Sequence, residues 1–359
     1  MDGIHTLQQQ LVEQKNKIVE SIYLHKRLVS PLWRLPTEIL SQIFYHCLPQ
    51  ITEPHQFQAP SKLTAPMLLT RICRRWREVA VGMPNLWCVL SVEVDDRNWQ
   101  QVAFCYDSWL KRTRERPLSL KIHFHAVDHS TKLRRLLQPY INQISSLSVE
   151  FYHRKTPALN MFRELLALEE IFVYEDISGR DMPASIPRST SSQLPSTMCS
   201  LYVIGWLLNL DDLSSCNPVW AHLTTLGIAV RTEKAVPHLL QLAPNLSSLM
   251  ICILFVDSEP LMPFTHPNLQ TLTIFYKCYD VPEPKFCDLL NTLSLPTLHV
   301  LIVYNVPQWP HEEFKAFLAQ LGSPLESLII RGSVMIDEQR AEYVALVPSF
   351  QYVLPWQPC

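Results

Sequence analysis

This sequence of 359 residues contains very little glycine. Its seven glycines are scattered along the chain, and no two of them are close neighbours. A loop that cradles a phosphate group needs clustered glycines, because several backbone N–H groups must approach the anion closely. The sequence therefore excludes a nucleotide-binding loop of the usual kind.

Paired cysteines, one-sided charge and long apolar runs are also missing. The ten cysteines stand singly, without a Cys-x-x-Cys pair, and the first residues lack a secretory signal, so we expect reduced thiols and a cytoplasmic and/or nuclear location. A net charge of −2 at pH 7 gives no electrostatic reason for a nucleic-acid or membrane partner. The longest near-continuous apolar run, 249–256, is far shorter than the roughly 20 residues of a membrane-spanning helix.

Local patterns for catalysis are absent as well. The sequence contains neither Gly-x-Ser-x-Gly nor His-Glu-x-x-His, and the serines at 189–192 have no base nearby in the chain. His123 and His125 share one face of a predicted strand but lack a local third ligand, so we interpret them as surface histidines. A triad assembled from distant segments would leave no such pattern. We expect a protein without enzymatic activity, cofactor or metal.

The N-terminal segment 1–29 predicts one helix, because residues 4–28 contain neither glycine nor proline. Apolar residues on an a/d spacing are Ile4, Leu7, Leu11, Ile18 and Leu28, while Gln14, Ser21 and His25 occupy other seam positions. This pattern leaves open a coiled coil and a helix that packs on its own domain. The interrupted seam favours the second, since coiled coils need sustained heptads.

Residues 30–90 predict a small helical module. Pro36 suits the first turn of a helix and Glu38 its positive end. The apolar stripe of this helix is Ile39, Leu40, Ile43, Phe44, Cys47 and Leu48. A second predicted helix runs from Pro66 to Gly82, with a solvated face of four arginines, Arg71, Arg74, Arg75 and Arg77.

The order of these residues resembles an F-box, and is similar in particular to the F-box proteins of mushroom-forming fungi. The matching residues are Leu35-Pro36-x-Glu38-Ile39-Leu40-x-x-Ile43-Phe44, then Ile72-Cys73-Arg74-Arg75-Trp76-Arg77-x-Val79-Ala80, and Pro84-x-Leu86-Trp87. The departures are Ile72, where Val is usual, and a long loop between the two halves.

This resemblance implies a role for each matched residue. It implies that a Skp-type adaptor, and through it a cullin–RING ubiquitin ligase, is contacted by Leu35, Pro36, Ile39, Leu40, Ile43 and Phe44. It also implies an F-box core made of Ile72, Cys73, Trp76, Val79, Leu86 and Trp87.

Residues 91–359 contain an internal repeat of the form φ-x-x-φ-x-φ, where φ is apolar. Its copies begin at Ile144, Leu168, Met198, Leu223, Leu246, Leu269, Leu298 and Leu325, with a degenerate ninth at Phe350. The spacing is close to the period of leucine-rich repeats. Helical stretches are predicted in several gaps, at 132–137, 236–242, 286–293, 312–321 and 339–346. The sequence therefore predicts an α/β chain, with the F-box followed by an irregular leucine-rich-repeat solenoid and a mobile insertion at 178–200.

The residues between the apolar anchors point to the opposite face of each strand, because side chains alternate along a strand. A substrate-binding surface is predicted there, made of Phe172, Tyr174, Tyr202, Phe275, Tyr304 and Arg331. Aromatic residues with arginine are typical of binding hot spots. The alternative is that both faces of the sheet are buried, as in closely packed parallel sheets.

An F-box followed by a repeat array implies a substrate-recognition adaptor of a Skp–cullin–F-box ubiquitin ligase. Its partners would be the Skp-type adaptor and an unidentified protein substrate. The alternative is a leucine-rich-repeat interaction scaffold without ligase association, in which the helical hairpin only caps the repeat array.

Overall fold

The computed structural model describes twelve segments of the chain. These are residues 2–29, 35–49, 60–94, 99–124, 130–151, 165–175, 194–208, 217–254, 261–276, 286–306, 309–321 and 324–353. The chain divides into two compact units. The first unit holds Met1–Gln50 with Pro60–Trp87, and the second holds the chain from Cys88 onward.

The first unit is helical. Its elements are α1 (Asp2–Val29), α2 (Thr37–His46), α3 (Leu69–Ile72), α4 (Arg74–Gly82) and a 3-10 turn at Pro84–Leu86. The prediction of a single helix from Pro66 to Gly82 is wrong, because Cys73 is extended, with φ −155° and ψ 171°. Its Sγ atom lies 3.4 Å from the Trp76 amide and accepts a hydrogen bond from it, which caps the start of α4.

A small core holds this unit together. The fully or nearly fully buried apolar side chains are Leu40, Phe44, Leu69, Ala80, Leu86 and Trp87. The rings of Phe44 and Trp76 lie 4.9 Å apart, which joins α2 to α4. The Trp87 indole nitrogen donates a hydrogen bond of 2.9 Å to the Ala80 carbonyl, so the buried ring has a partner for its polar atom.

The second unit is an α/β assembly with a large parallel sheet. Its strands are β1 (Val89–Val94), β2 (Leu118–Phe124), β3 (Ile144–Phe151), β4 (Glu170–Glu175), β5 (Ser200–Leu208), β6 (Thr225–Val230), β7 (Ser248–Ile253), β8 (Phe264–Thr265), β9 (Thr271–Tyr276), β10 (Leu293–Ser294), β11 (Val300–Tyr304), β12 (Ser327–Arg331) and β13 (Ser349–Val353). Eleven of them form one sheet in chain order, and β8 and β10 form a separate pair.

Helices connect many of these strands. They are α5 (Trp99–Leu110), α6 (Ser130–Leu137), α7 (Asn217–Trp220), α8 (Ala235–Leu242), α9 (Phe286–Thr292), α10 (His311–Gln320) and α11 (Asp337–Leu346), with a 3-10 helix at Gln138–Gln143. The five helical stretches predicted between the repeats are confirmed. Sequence reasoning did not predict α5 or α7. Residues 178–193 of the predicted insertion lie outside the described residues.

The register of the large sheet confirms the predicted parallel strands. Equivalent apolar anchors of neighbouring strands lie side by side, for example Leu249 beside Leu272 and Leu301 beside Leu328. The ninth motif was placed wrongly, because Phe350 pairs with Leu328 and not with a motif start. The ninth copy therefore begins at Val347, which is buried.

One face of this sheet carries the core of the second unit. The anchors Leu249, Leu272, Leu301 and Leu328 are almost completely buried there. Rings from the connecting helices pack on the same face. Tyr276 of β9 contacts Phe286 of α9, with ring centroids 6.0 Å apart, and Phe350 of β13 contacts Tyr343 of α11 at 5.7 Å. We call the opposite side of the sheet the open face.

Candidate functional site

The first candidate surface is an apolar stripe on α2. Pro36 and Ile39 are exposed, Ile39 at 42%, and Ile43 is half-buried. The three residues follow an i, i+3, i+7 spacing, which places them on one side of the helix. We call them the α2 stripe.

Two other residues predicted to contact an adaptor are completely buried. Leu40 and Phe44 have no exposed area, because they lie on the neighbouring side of α2 and fill the core against α4. Assigning them to adaptor contact was therefore wrong. An apolar helix stripe wider than one face supplies both a core and a surface, and its spacing alone does not tell the two apart.

An arginine holds the start of the α2 stripe. The Arg75 guanidinium donates a hydrogen bond through Nη2 to the Leu35 carbonyl, which joins α4 to the residue before Pro36. Arg77 donates to the Thr70 carbonyl over 2.8 Å, across the break at Cys73. Arg75 is half-buried and Leu35 is also half-buried. The prediction that these arginines form only a solvated face is therefore wrong for Arg75.

The predicted F-box core is buried only in part. Leu86 and Trp87 are buried, and Cys73, Trp76 and Val79 are half-buried, whereas Ile72 is 47% exposed. Placing Ile72 in the core was wrong. The extended backbone at Cys73 interrupts the helical phase, so Ile72 does not continue the stripe of Trp76 and Val79.

The second candidate surface lies on the open face of the large sheet. All six predicted substrate-binding residues occupy this face, in two adjacent rows. Phe172 and Tyr202 are paired in the first row, with ring centroids 5.9 Å apart. Gly227 is the next residue of that row, and the Tyr202 ring lies directly over it. A Cβ atom at Gly227 would lie 2.1 Å from Tyr202 Cδ1, so only glycine leaves room for this ring.

Three predicted residues form a continuous stack in the second row. The Phe275 and Tyr304 rings are parallel, with 4.0 Å between their centroids and 11° between their planes. The Arg331 guanidinium carbon lies 5.6 Å from the Tyr304 centroid, within cation–π range. These contacts hold the side chains in place. Side chains that are already held in place lose less conformational entropy when a partner binds.

The six predicted residues form neither a fully exposed binding surface nor a fully buried face of the sheet. Tyr174 and Arg331 are exposed, and Tyr202, Phe275 and Tyr304 are half-buried, but Phe172 is buried. Phe172 therefore supports its neighbour Tyr202 and offers no surface of its own. Burial, with a smaller effect from Glu170, raises the pKa of Tyr202, so its hydroxyl is protonated at neutral pH.

At β2 and β3, the side chains on the open face are largely buried. Lys121 of β2 is only 5% exposed, and its Nζ atom lies 2.7 Å from Glu150 Oε1 on β3. The other carboxylate oxygen of Glu150 lies 2.9 Å from His123 Nδ1. The prediction of a surface histidine is wrong for His123, because its side chain is largely buried beside Glu150. His125 lies outside the described residues.

The described segments also bear on metal binding and membrane spanning. They hold no group of three or more His, Cys, Asp or Glu side chains that could hold a metal ion. Within the same segments, no helix is long and apolar enough to cross a membrane. No family model matches this chain, and a comparison with curated proteins found no match.

Proposed function

We propose that this chain is a non-enzymatic substrate receptor of a Skp–cullin–F-box ubiquitin ligase. In this proposal the first unit is an F-box, whose α2 stripe docks on a Skp-type adaptor. The second unit is an irregular leucine-rich-repeat solenoid, which binds a protein substrate. The rate of ubiquitin transfer rises because the two partners are held at high effective concentration.

The observation that carries this proposal is the α2 stripe. Pro36 and Ile39, both predicted to contact the adaptor, lead an apolar surface that lies outside the core formed by the described residues of this unit. Leu40 and Phe44 anchor the same helix from its other side. Arg75 ties the backbone before Pro36 to α4. A pre-organised apolar anchor loses little freedom on binding, which favours a specific protein partner.

The open face supports the substrate-binding part of the proposal. Tyr174, Tyr304 and Arg331 combine apolar ring surface with hydrogen-bonding groups, as the anchors of protein interfaces do. The Phe275–Tyr304–Arg331 stack is pre-formed. A partner would use these side chains through contact and hydrogen bonding, without chemistry by the receptor.

Affinity capture from cells treated with a proteasome inhibitor tests the proposal. Tagged wild-type chain should co-purify with a Skp-type adaptor. Ile39→Asp/Ile43→Asp should lose the adaptor, because two charges would be buried in an apolar interface. Tyr174→Ala/Tyr304→Ala should keep the adaptor and lose captured substrate.

The matched control is Ser41→Asp/Tyr45→Asp, which adds the same charge at the same spacing on the other side of α2. It should retain the adaptor. Thermal melts of all variants identify any loss that comes from unfolding. A wild-type chain that captures substrate but no adaptor would instead support the scaffold without ligase association.

A further inference from the structure

The long helix α1 exposes the apolar residues of its central stretch. Every side chain from His5 to Ile22 is exposed. Six large apolar side chains of this stretch are between 50% and 62% exposed, namely Leu7, Leu11, Val12, Ile18, Val19 and Ile22. The interpretation of α1 as a helix packed on its own domain is therefore wrong for these residues.

The apolar residues of α1 are arranged in a narrow stripe. At 3.6 residues per turn, Leu7, Leu11, Ile18 and Ile22 fall within an arc of about 60° and span about 22 Å. Leu7 and Ile18 are eleven residues apart, and so are Leu11 and Ile22. An eleven-residue repeat stays in phase with a nearly straight helix. Such a narrow stripe is typical of a helix–helix seam, whereas a helix on a globular core carries a wider one.

The spacing of the four anchors makes the stripe complementary to a second copy of itself. The spacing of its four anchors is 4, 7 and 4 residues, which is identical from either end. In an antiparallel pair each leucine therefore meets an isoleucine, with Leu7 opposite Ile22 and Leu11 opposite Ile18. In a parallel pair each anchor meets its own copy. A surface that matches itself is what a two-fold interface requires.

The charges of α1 argue against a membrane surface as the occupant. The stretch from His5 to Ile22 holds two glutamates and two lysines, so its charge is balanced. Lys17 Nζ lies 3.0 Å from Glu13 Oε1, which pairs these two charges within the helix. Helices that lie on membranes carry a polar face rich in lysine and arginine. Glu13 and Glu20 both lie on the side of α1 opposite the stripe.

The length of α1 also points to a partner. Between His5 and Ile22, α1 exposes both of its sides, whereas helices in proteins are stabilised chiefly by packing an apolar face. From these observations we infer that α1 is a self-association element, and that two copies of this chain pair through the stripe Leu7, Leu11, Ile18 and Ile22. Val12 and Val19 lie farther round the helix, with Lys15 between them and the stripe. This inference does not depend on the proposed ligase function.

Sedimentation equilibrium of the purified full chain tests the inference. Wild type should have twice the monomer mass of 41.6 kDa. Leu11→Glu/Ile18→Glu should raise the dimer dissociation constant by about 100-fold or more, because both charges would be buried in the seam. The matched control Gln9→Glu/Asn16→Glu adds the same charges seven residues apart on the opposite side of α1. It should remain dimeric.

Circular dichroism of each variant shows whether α1 and the rest of the chain remain folded. If the glutamate variant loses helicity as a monomer, Leu7→Ala/Ile22→Ala, which retains good helix formers, should still weaken the dimer. A wild-type chain that is monomeric at all accessible concentrations would overturn the inference. A dimer equally stable in the stripe and control variants would overturn it too, and so would a monomer that binds anionic vesicles through α1.

Discussion

At the residue scale, Gly227 leaves the space in which the Tyr202 ring lies on the open face. The Tyr202 ring occupies the space that a side chain at 227 would need, 2.1 Å from the expected Cβ position. We expect Gly227→Ala to reduce the free energy of unfolding by roughly 1–3 kcal/mol, because the Tyr202 ring must shift to make room for the new methyl group. In a Tyr202→Ala background the same substitution should be neutral or stabilising, since alanine suits a strand better than glycine. Urea unfolding of the four proteins in a double-mutant cycle measures this coupling. If Gly227→Ala lowers the free energy of unfolding equally with and without the Tyr202 ring, the proposed clash is contradicted.

Glu150 of β3 contacts two largely buried polar side chains of β2. Its two oxygens lie within 2.9 Å of Lys121 Nζ and His123 Nδ1. We expect Glu150→Leu to reduce the free energy of unfolding by roughly 3–5 kcal/mol, because it leaves the Lys121 ammonium buried without its carboxylate. Lys121→Met/Glu150→Leu should cost less than the single change, as it removes both charges. A double variant less stable than Glu150→Leu would show that the charge pair is not the cause.

The sequence predicts residue environments unevenly. Helix α2 carries Ile39 and Leu40, adjacent apolar residues that the structure separates into surface and core. Their type and spacing fit either environment, and only the position of α4 decides between them. On the large sheet, strict alternation correctly predicts which residues share the open face, because a strand has just two faces. It does not predict that Phe172 is buried and Tyr174 exposed.

At the level of elements, Cys73 separates α3 from α4. Its Sγ atom accepts a hydrogen bond from the Trp76 amide and so caps the start of α4. We expect Cys73→Ala to reduce the free energy of unfolding by about 1 kcal/mol, the usual cost of losing a cap, and Cys73→Ser to be at least as stable as wild type. Chemical denaturation of the two variants beside wild type provides the measurement. If Cys73→Ala is as stable as wild type, the thiol does not stabilise the helix.

The strands were the most predictable elements. Each φ-x-x-φ-x-φ motif places its last two apolar residues on one strand, and parallel neighbours must align these anchors to keep a common core. The same rule corrects the ninth copy, which begins at Val347 and places Phe350 on β13. The helix α5 was missed, because it lies between strands that precede the first motif found. The break at Cys73 was missed as well, since nothing in the residue type excludes a helix there.

At the scale of the whole molecule, the chain divides into two compact units. The first unit exposes the α2 stripe and the seam of α1. The second exposes Tyr174, Tyr304 and Arg331 on the open face of its sheet. In the proposed function, each surface has its own partner, so substitutions on one should leave binding at the other unchanged.

The central claim is that the α2 stripe binds a Skp-type adaptor. Isothermal titration of a purified Skp-type adaptor into the purified full chain tests it most directly. Saturable binding with a dissociation constant on the order of 1 μM or tighter is predicted for wild type and for Ser41→Asp/Tyr45→Asp. Binding about 100-fold weaker or more is predicted for Ile39→Asp/Ile43→Asp. Absence of binding by folded wild-type chain, or equal affinity of the folded Ile39→Asp/Ile43→Asp variant, would contradict the claim.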